Sequence, residues 1–244
     1  MSPGEIPPGR APDGWTSPGA DGPLLAAVLP VACRYGLVLA GGHALALHGL
    51  ADRPGEDIDL VTDPCRSAAE VAEAVWRGFL EAGLEASLGA VAPRVAGLAV
   101  REPVTGERRE VVLHREAPQR PAVTWGGLRV LDVDDAVGLA MRALHDRGLA
   151  GDLAVAVRAG ETRTFRDLEA LARPYHDDFA LPELVMRLEF AELMPDEAFR
   201  ACGLDGAGAA RVRAFARAWV EDVKLRRSED GDADYDDPDL PAVD

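Results

Sequence analysis

At 244 residues, with 48% hydrophobic residues and a formal charge of −16, the chain has the size and apolar content of one large or two modest globular domains. No apolar run approaches the roughly 18 residues that a membrane span needs, and the start lacks a charged-then-apolar leader pattern. The acidic balance argues against broad nucleic-acid binding through a basic face, while a local basic groove stays compatible with it.

Residues 1–22 are rich in Pro and Gly, lack periodicity and read as a flexible arm. Helical character follows over 24–35, with Pro30 marking a kink or an early stop. A short apolar strand is expected over 36–40, a helix over 42–50 with Gly49 as its stop, and a second strand over 57–61. Ser67 is placed to cap a long amphipathic helix that runs to about residue 82. Strands are expected over 84–88, 95–101 and 109–114, the last two joined by a hairpin turn at Pro103-Val104-Thr105-Gly106. This order gives an α+β class: a small mixed sheet with helices on one face.

From Asp132 the pattern changes. A helix over 132–148 has an acidic first turn and carries Arg142 and Arg147 toward its C-terminal half, as the helix dipole favours. Helices are expected over 165–172, 182–190, 195–202 and 207–226, so a domain boundary near Leu131 leads into an all-helical region ending at 227. Residues 228–244 carry eight acids and no base and are expected to be disordered, serving solubility. Cys33, Cys65 and Cys202 are odd in number and lack metal-ligand spacing; buried thiols in a reducing cytoplasm are expected. Lys224 is the only lysine, which leaves lysine off the candidate catalytic groups.

The chemistry is concentrated in "LAGGHALALHGLADRPGEDIDLVTD". On a strand, Asp57 and Asp59 point to one face and Ile58 and Leu60 to the other. Two carboxylates so placed repel each other unless a cation sits between them, and Mg²⁺ takes oxygen ligands and keeps phosphate oxygens as well. Gly41-Gly42, between a strand and a helix start, lets the backbone approach an anion closely, where exposed N–H groups favour phosphate. The parts together describe a triphosphate held by a glycine turn, with its metal held by a carboxylate pair.

This stretch resembles the signature of the minimal nucleotidyltransferases of the AbiEii/AbiGii toxin family, within the DNA polymerase β-like superfamily. The likeness runs from residue 24 to about 227, taking in a nucleotidyltransferase domain over 23–131 and a helical domain over 132–227. It implies a nucleoside triphosphate held by Gly41 and Gly42, Mg²⁺ held by Asp57 and Asp59, and transfer of a nucleotidyl group to an acceptor hydroxyl on an RNA such as tRNA or on protein. It also implies a cytoplasmic protein with a cognate antitoxin. Arg53 is a phosphate or structural contact on this reading. His43, directly after the glycines, either touches phosphate as a cation or packs beside the turn.

Three positions depart from the family. Its third carboxylate falls on Val112, with Glu110 and His114 two residues to either side on the same face, about 7 Å along the strand. Either could substitute, with Glu110 the candidate catalytic acid; alternatively both are exposed ends of an edge strand. The family's lysine falls on Ala140, with Arg142 nearby, and its later Arg-Asp pair is reduced to Asp152. His48, His145 and His176 have no partners at ligand spacing, and Trp125 and the other tryptophans are assigned to core or interface. Two functions follow: an active Mg²⁺-dependent nucleotidyltransferase, or a non-catalytic nucleotide- or metal-binding module that acts as a sensor or partner-binding protein. Val112 divides them.

Overall fold

The structure, a computed structural model, describes residues 22–125 and 128–229; the expected arm up to residue 21 and the acidic tail from residue 230 lie outside that range. The chain divides into two compact units, Met1–Ala136 and Val137–Asp244.

The first unit is built on one mixed sheet. Its strands are β1 (Val38–Leu39), β2 (Ile58–Thr62), β3 (Glu85–Val91), β4 (Val95–Arg101), β5 (Arg108–Arg115), β6 (Val123–Trp125) and β7 (Leu128–Val130). They lie in the order β3-β4-β5-β2-β1-β7-β6. β2 pairs with β5 and β1 with β7 in parallel, the other neighbours antiparallel. Alternation sorts the faces. Ile58, Leu60, Ala96, Leu98, Val111 and Leu113 are fully buried, whereas Asp59, Val112 and His114 between them are half-buried on the opposite face.

Helices α1 (Pro23–Arg34), α2 (Gly41–Leu47) and α3 (Ala68–Glu81) complete this unit. α3 packs on β3, β4 and β5 through Ala68, Val71, Ala72, Val75 and Phe79, all buried and spaced as one helical face. Ser67 caps it as expected: its hydroxyl accepts from the Glu70 N–H at 3.2 Å, and the Glu70 carboxylate accepts from the Ser67 N–H at 3.2 Å. Such a reciprocal cap contributes about 1 kcal/mol. Gly78 lets α1 come close, since a Cβ there would sit 2.8 Å from Val31 and 2.7 Å from Tyr35. α1 runs through Pro30 to Arg34 without the early stop.

The second unit is helical. α4 (Val133–Arg147) opens at the end of the first unit and is followed by α5 (Ala150–Ala159), α6 (Phe165–Ala172), a 3₁₀ turn (Arg173–Tyr175), α7 (Leu181–Phe190), α8 (Asp196–Ala201) and α9 (Gly206–Glu229). α9 packs against α5, α7 and α8. Its buried Trp219 donates to Glu169 at 2.8 Å, and Arg226 donates to the same carboxylate at 2.6 Å, so the one buried acid of α6 is satisfied from two sides.

Two parts of the sequence reading need correction. Cys33, Cys65 and Cys202 are exposed: Cys33 falls on the outward side of α1, Cys65 in the turn after β2, and Cys202 at the end of α8. β5 is an interior strand with β4 and β2 on its two sides, so Glu110 and His114 are not the ends of an edge strand. Strands β6 and β7 and helix α5 were not anticipated. No helix among the described residues is long and apolar enough to cross a membrane.

Candidate functional site

Backbone pairing seats the glycine turn beside the second aspartate. β1 and β2 pair Leu39 with Leu60, and the Ala40 N–H donates to the Asp59 carbonyl at 2.9 Å. The chain then enters α2 through Gly41 at φ 55°, a conformation that side chains disfavour. A Cβ on Gly41 would lie 1.9 Å from Asp59 Oδ2: the carboxylate occupies the space that a side chain would take. Gly42 likewise packs on the loop leading to Asp57, where its Cβ would come 2.5 Å from the Gly55 nitrogen.

Asp57 is exposed just ahead of β2. Its carboxyl is held above the usual carboxylate range by partial loss of hydration, then by the negative charges of Asp59 and Glu56, with Arg109 opposing. Two mutually repelling acids next to a glycine turn are the donor set that a hard divalent cation relieves. Arg109 Nη1 lies 3.5 Å from the carbonyls of both Gly55 and Glu56, so β5 also supports the loop that carries Asp57.

The parallel register of β2 and β5 sets Asp59 opposite Val112, which makes an aliphatic residue the cross-strand neighbour of the aspartate. His114 reaches past it and donates from Nε2 to Asp59 Oδ1 at 2.8 Å. Glu110 leans the other way. Its Oε1 lies 2.6 Å from where Gly97 would carry a Cβ, and Gly97 is the β4 partner of Val112. That places the carboxylate over a strand two places from β2, about 10 Å across the sheet at the usual strand spacing.

An open cleft of about 570 Å³ adjoins Asp57 and is lined in part by Glu85, Arg101, Arg108, Arg109 and Glu110. Its volume is in the range of small-ligand sites. Arg53 lies exposed on the loop between α2 and β2 and makes no ion pair or hydrogen bond among the described residues.

His43 is fully buried in α2, and neither ring nitrogen has a partner of good hydrogen-bond geometry. Burial foremost, then Arg109, pushes it down from 6.5 to about 4, against the opposing pull of Asp59 and of the Asp57 backbone. A ring this low is neutral near pH 7, so it has a hydrogen bond rather than a charge to offer a phosphate. The folded state therefore binds the His43 proton more weakly than the unfolded chain. Its stability is fully present above about pH 6.5 and is lost as the pH falls toward 4. We expect wild type to lose ~3 kcal/mol relative to His43→Leu between about pH 7 and about pH 4 in urea unfolding; a difference that ignores pH would mean that the folded ring takes up its proton as readily as the unfolded chain does.

The sequence-expected residues thus divide. Gly41, Gly42, Asp57 and Asp59 come together, with His114 added and His43 beneath them; Glu110 lines the cleft beside Asp57 but leans over Gly97, and Arg53 lies exposed on the loop ahead of β2. In the second unit, Arg142 donates to the Tyr175 carbonyl at 3.4 Å, and Asp152 is held by Arg147 at 2.8 and 3.0 Å. His145 and His176, read as having no ligand partners, meet at Asp146, a convergence across 30 residues that spacing along the chain does not reveal.

No protein-family model matches the sequence and no curated protein matches it. Solved structures do. The nucleotidyltransferase toxin MenT4 from Mycobacterium tuberculosis H37Rv superposes with a TM-score of 0.54 at 19% identity, over 84% of this chain and 88% of that one. JHP933 from Helicobacter pylori superposes with a TM-score of 0.47 at 20% identity, over 85% and 94%. The chain has the nucleotidyltransferase fold, and the resemblance read from residues 39–63 is borne out at that level.

Proposed function

We propose that this protein is a Mg²⁺-dependent nucleotidyltransferase that binds a nucleoside triphosphate and passes its nucleotidyl group to an acceptor hydroxyl, on an RNA such as tRNA or on protein. The observation that carries this reading is the contact between glycine turn and acid, with Asp59 Oδ2 filling the space where Gly41 would carry a side chain. That contact sets the main-chain N–H groups of Gly41 and Gly42 beside the carboxylate pair, an arrangement suited to a phosphate chain with its cation. Asp57 and Asp59 would hold the cation, which supplies charge neutralisation to the transferring phosphate.

The chain's own groups do the positioning. Gly41 and Gly42 present main-chain donors to phosphate oxygens, and His114 orients Asp59 through its 2.8 Å hydrogen bond. Arg109 steadies the Asp57 loop and lines the cleft beside it, where the acceptor or the base would lie. On this reading residues 23–131 form the nucleotidyltransferase domain and 132–227 a helical companion. A cytoplasmic role opposite a cognate antitoxin would match the description of MenT4 as a toxin.

A second reading is favoured by one observation. Val112, not an acid, stands across from Asp59, and the candidate carboxylate substitute, Glu110, leans over Gly97. A chain with the nucleotide-holding side intact and the acceptor-activating side incomplete would serve as a nucleotide-binding sensor or partner module.

Binding and turnover are tested separately. Calorimetry with each nucleoside triphosphate is expected to give heat only with Mg²⁺ present, and Asp57→Ala is expected to remove that dependence; equal Mg²⁺-dependent affinity in the two proteins would overturn the carboxylate site. Incubation with labelled triphosphates, Mg²⁺ and cellular RNA or protein then separates the readings. Label incorporated into either acceptor supports the transferase, and binding without incorporation supports the sensor.

A further inference from the structure

The helical unit contains a cluster that nucleotide chemistry does not use. His145 and Asp146 are consecutive near the end of α4, and His176 follows the 3₁₀ turn Arg173–Tyr175. One donor atom from each lies within 4.8 Å of the other two. His176 Nε2 is 2.8 Å from Asp146 Oδ1, and His145 Nδ1 is 3.7 Å from the same oxygen.

His145 supplies an independent sign of a missing partner. Its side chain is 1% exposed, yet Nδ1 has no hydrogen bond among the described residues, a state that buried polar nitrogens rarely keep. On the far side of the ring, Ala180 offers both its carbonyl and its N–H to Nε2 at 3.2 Å. If Nε2 accepts from that N–H, Nδ1 carries a proton toward a carboxylate oxygen too distant to accept it. If Nε2–H donates to the carbonyl, Nδ1 turns a bare lone pair toward the Asp146 carboxylate. A cation between them satisfies both groups, and a main-chain carbonyl behind the ring is the usual support of a metal-bound histidine.

Nearby positive charge does not already fill this role. Arg187 donates to the main-chain carbonyls of His145 and Asp146, at 3.0 and 2.9 Å, closing the end of α4 while leaving the Asp146 carboxylate to His176. Asp146 is about half exposed, with 49% of its side chain accessible, which gives an entry path and leaves a coordination position for water.

We propose that His145, Asp146 and His176 bind a divalent transition metal of the zinc class, which ties the end of α4 to the segment ahead of α7. Two imidazole nitrogens and one carboxylate oxygen suit Zn²⁺, Co²⁺ or Ni²⁺ rather than Mg²⁺. Bonds of about 2.0–2.2 Å place tetrahedral donors roughly 3.3 Å apart, so binding draws His145 inward and parts His176 from Asp146 slightly. His176 then donates its lone pair from Nε2 and keeps its single ring proton on Nδ1, at the cost of the 3.2 Å hydrogen bond that Nδ1 accepts from the Asp178 N–H. The site shares no residue with Asp57 and Asp59, and the proposal does not depend on nucleotide binding.

Cobalt titration of the full-length, chelator-treated protein tests it. One equivalent of Co²⁺ is expected to develop the visible absorption of a four-coordinate nitrogen and oxygen centre. Affinity should fall by at least about tenfold in His176→Gln and in Asp146→Asn, since losing even a supporting partner costs about 10–100-fold. The same signal should persist in Asp57→Ala, which separates this site from the proposed nucleotide site. Proton NMR of the wild type gives a readout that needs no variant: the ring signals of His145 and His176 should show contact shifts, and those of His43, His48 and His114 should not. An octahedral spectrum, a thiolate charge-transfer band from the exposed cysteines, wild-type affinity in both variants, or absence of those contact shifts would each overturn the proposal.

Discussion

Gly41→Ala is expected to abolish Mg²⁺-dependent nucleotide binding and to destabilise the sheet unit by several kcal/mol. Two costs coincide at this position. The backbone sits at φ 55°, where a non-glycine residue costs about 1–2 kcal/mol. The new Cβ would also lie 1.9 Å from Asp59 Oδ2 and 2.5 Å from its Cγ, so the carboxylate must leave its place. Asp59 has little freedom to do so, because its carbonyl is tied to the Ala40 N–H at 2.9 Å and its Oδ1 to His114 at 2.8 Å. Gly36→Ala is the matched control. Gly36 has a similar φ of 72° with open space around its Cβ position, so its substitution should cost only about 1–2 kcal/mol and leave binding intact. Urea unfolding and calorimetry on the two variants decide the matter. Wild-type affinity in Gly41→Ala would mean that the turn does not hold the phosphate chain against Asp59.

What the sequence disclosed was local. The capping box at Ser67, the stripe of α3 and the alternation of β2 all have their causes within a few residues, and all appear where they were expected. The Gly-Gly turn and the strand that carries Asp59 were legible for the same reason, since pleat and pairing bring residues 20 apart or fewer into contact; Asp57, expected on that strand, lies in the bend just ahead of it. Distant pairings were not legible. β7 joins the sheet by pairing Val130 with Leu39, and three-residue strands such as β6 and β7 are too short to show a period. Helix α5 opens at Leu149, whose N–H is capped from within the helix by Asp152 at 3.0 Å; no side-chain oxygen at the cap position announces it. The exposure of β5 was misjudged because its parallel neighbour, β2, lies some fifty residues away in the chain. Cysteine burial failed on a different ground: thiol chemistry favours the interior, but the face of α1 on which Cys33 lies is set by its neighbours.

Turnover should depend on what stands across from Asp59. With Val112 at that position, the wild-type chain is expected to transfer nucleotide slowly, since the group that would align and deprotonate the acceptor hydroxyl is an isopropyl side chain. Supplying or removing one such electrostatic element typically changes rate by about 10²–10³, and Val112→Asp is therefore expected to raise incorporation of labelled nucleotide by up to that factor. The substitution also adds a third acid beside two that already repel each other, as the raised Asp57 carboxyl shows; the cation-free variant should unfold at a lower urea concentration than wild type, and Mg²⁺ should recover part of the loss. Glu110→Gln is the paired test. Its carboxylate rests over Gly97, on the far side of Val112 from Asp59, so neutralising it should leave the slow wild-type rate within a few-fold. A fully active wild type silenced by Glu110→Gln would show instead that this side chain swings back across β5 to complete the site. If Val112→Asp binds triphosphate and Mg²⁺ yet transfers no faster than wild type, the missing acid is not what limits turnover, and Ala140, where the resembled family carries lysine, becomes the next position to restore.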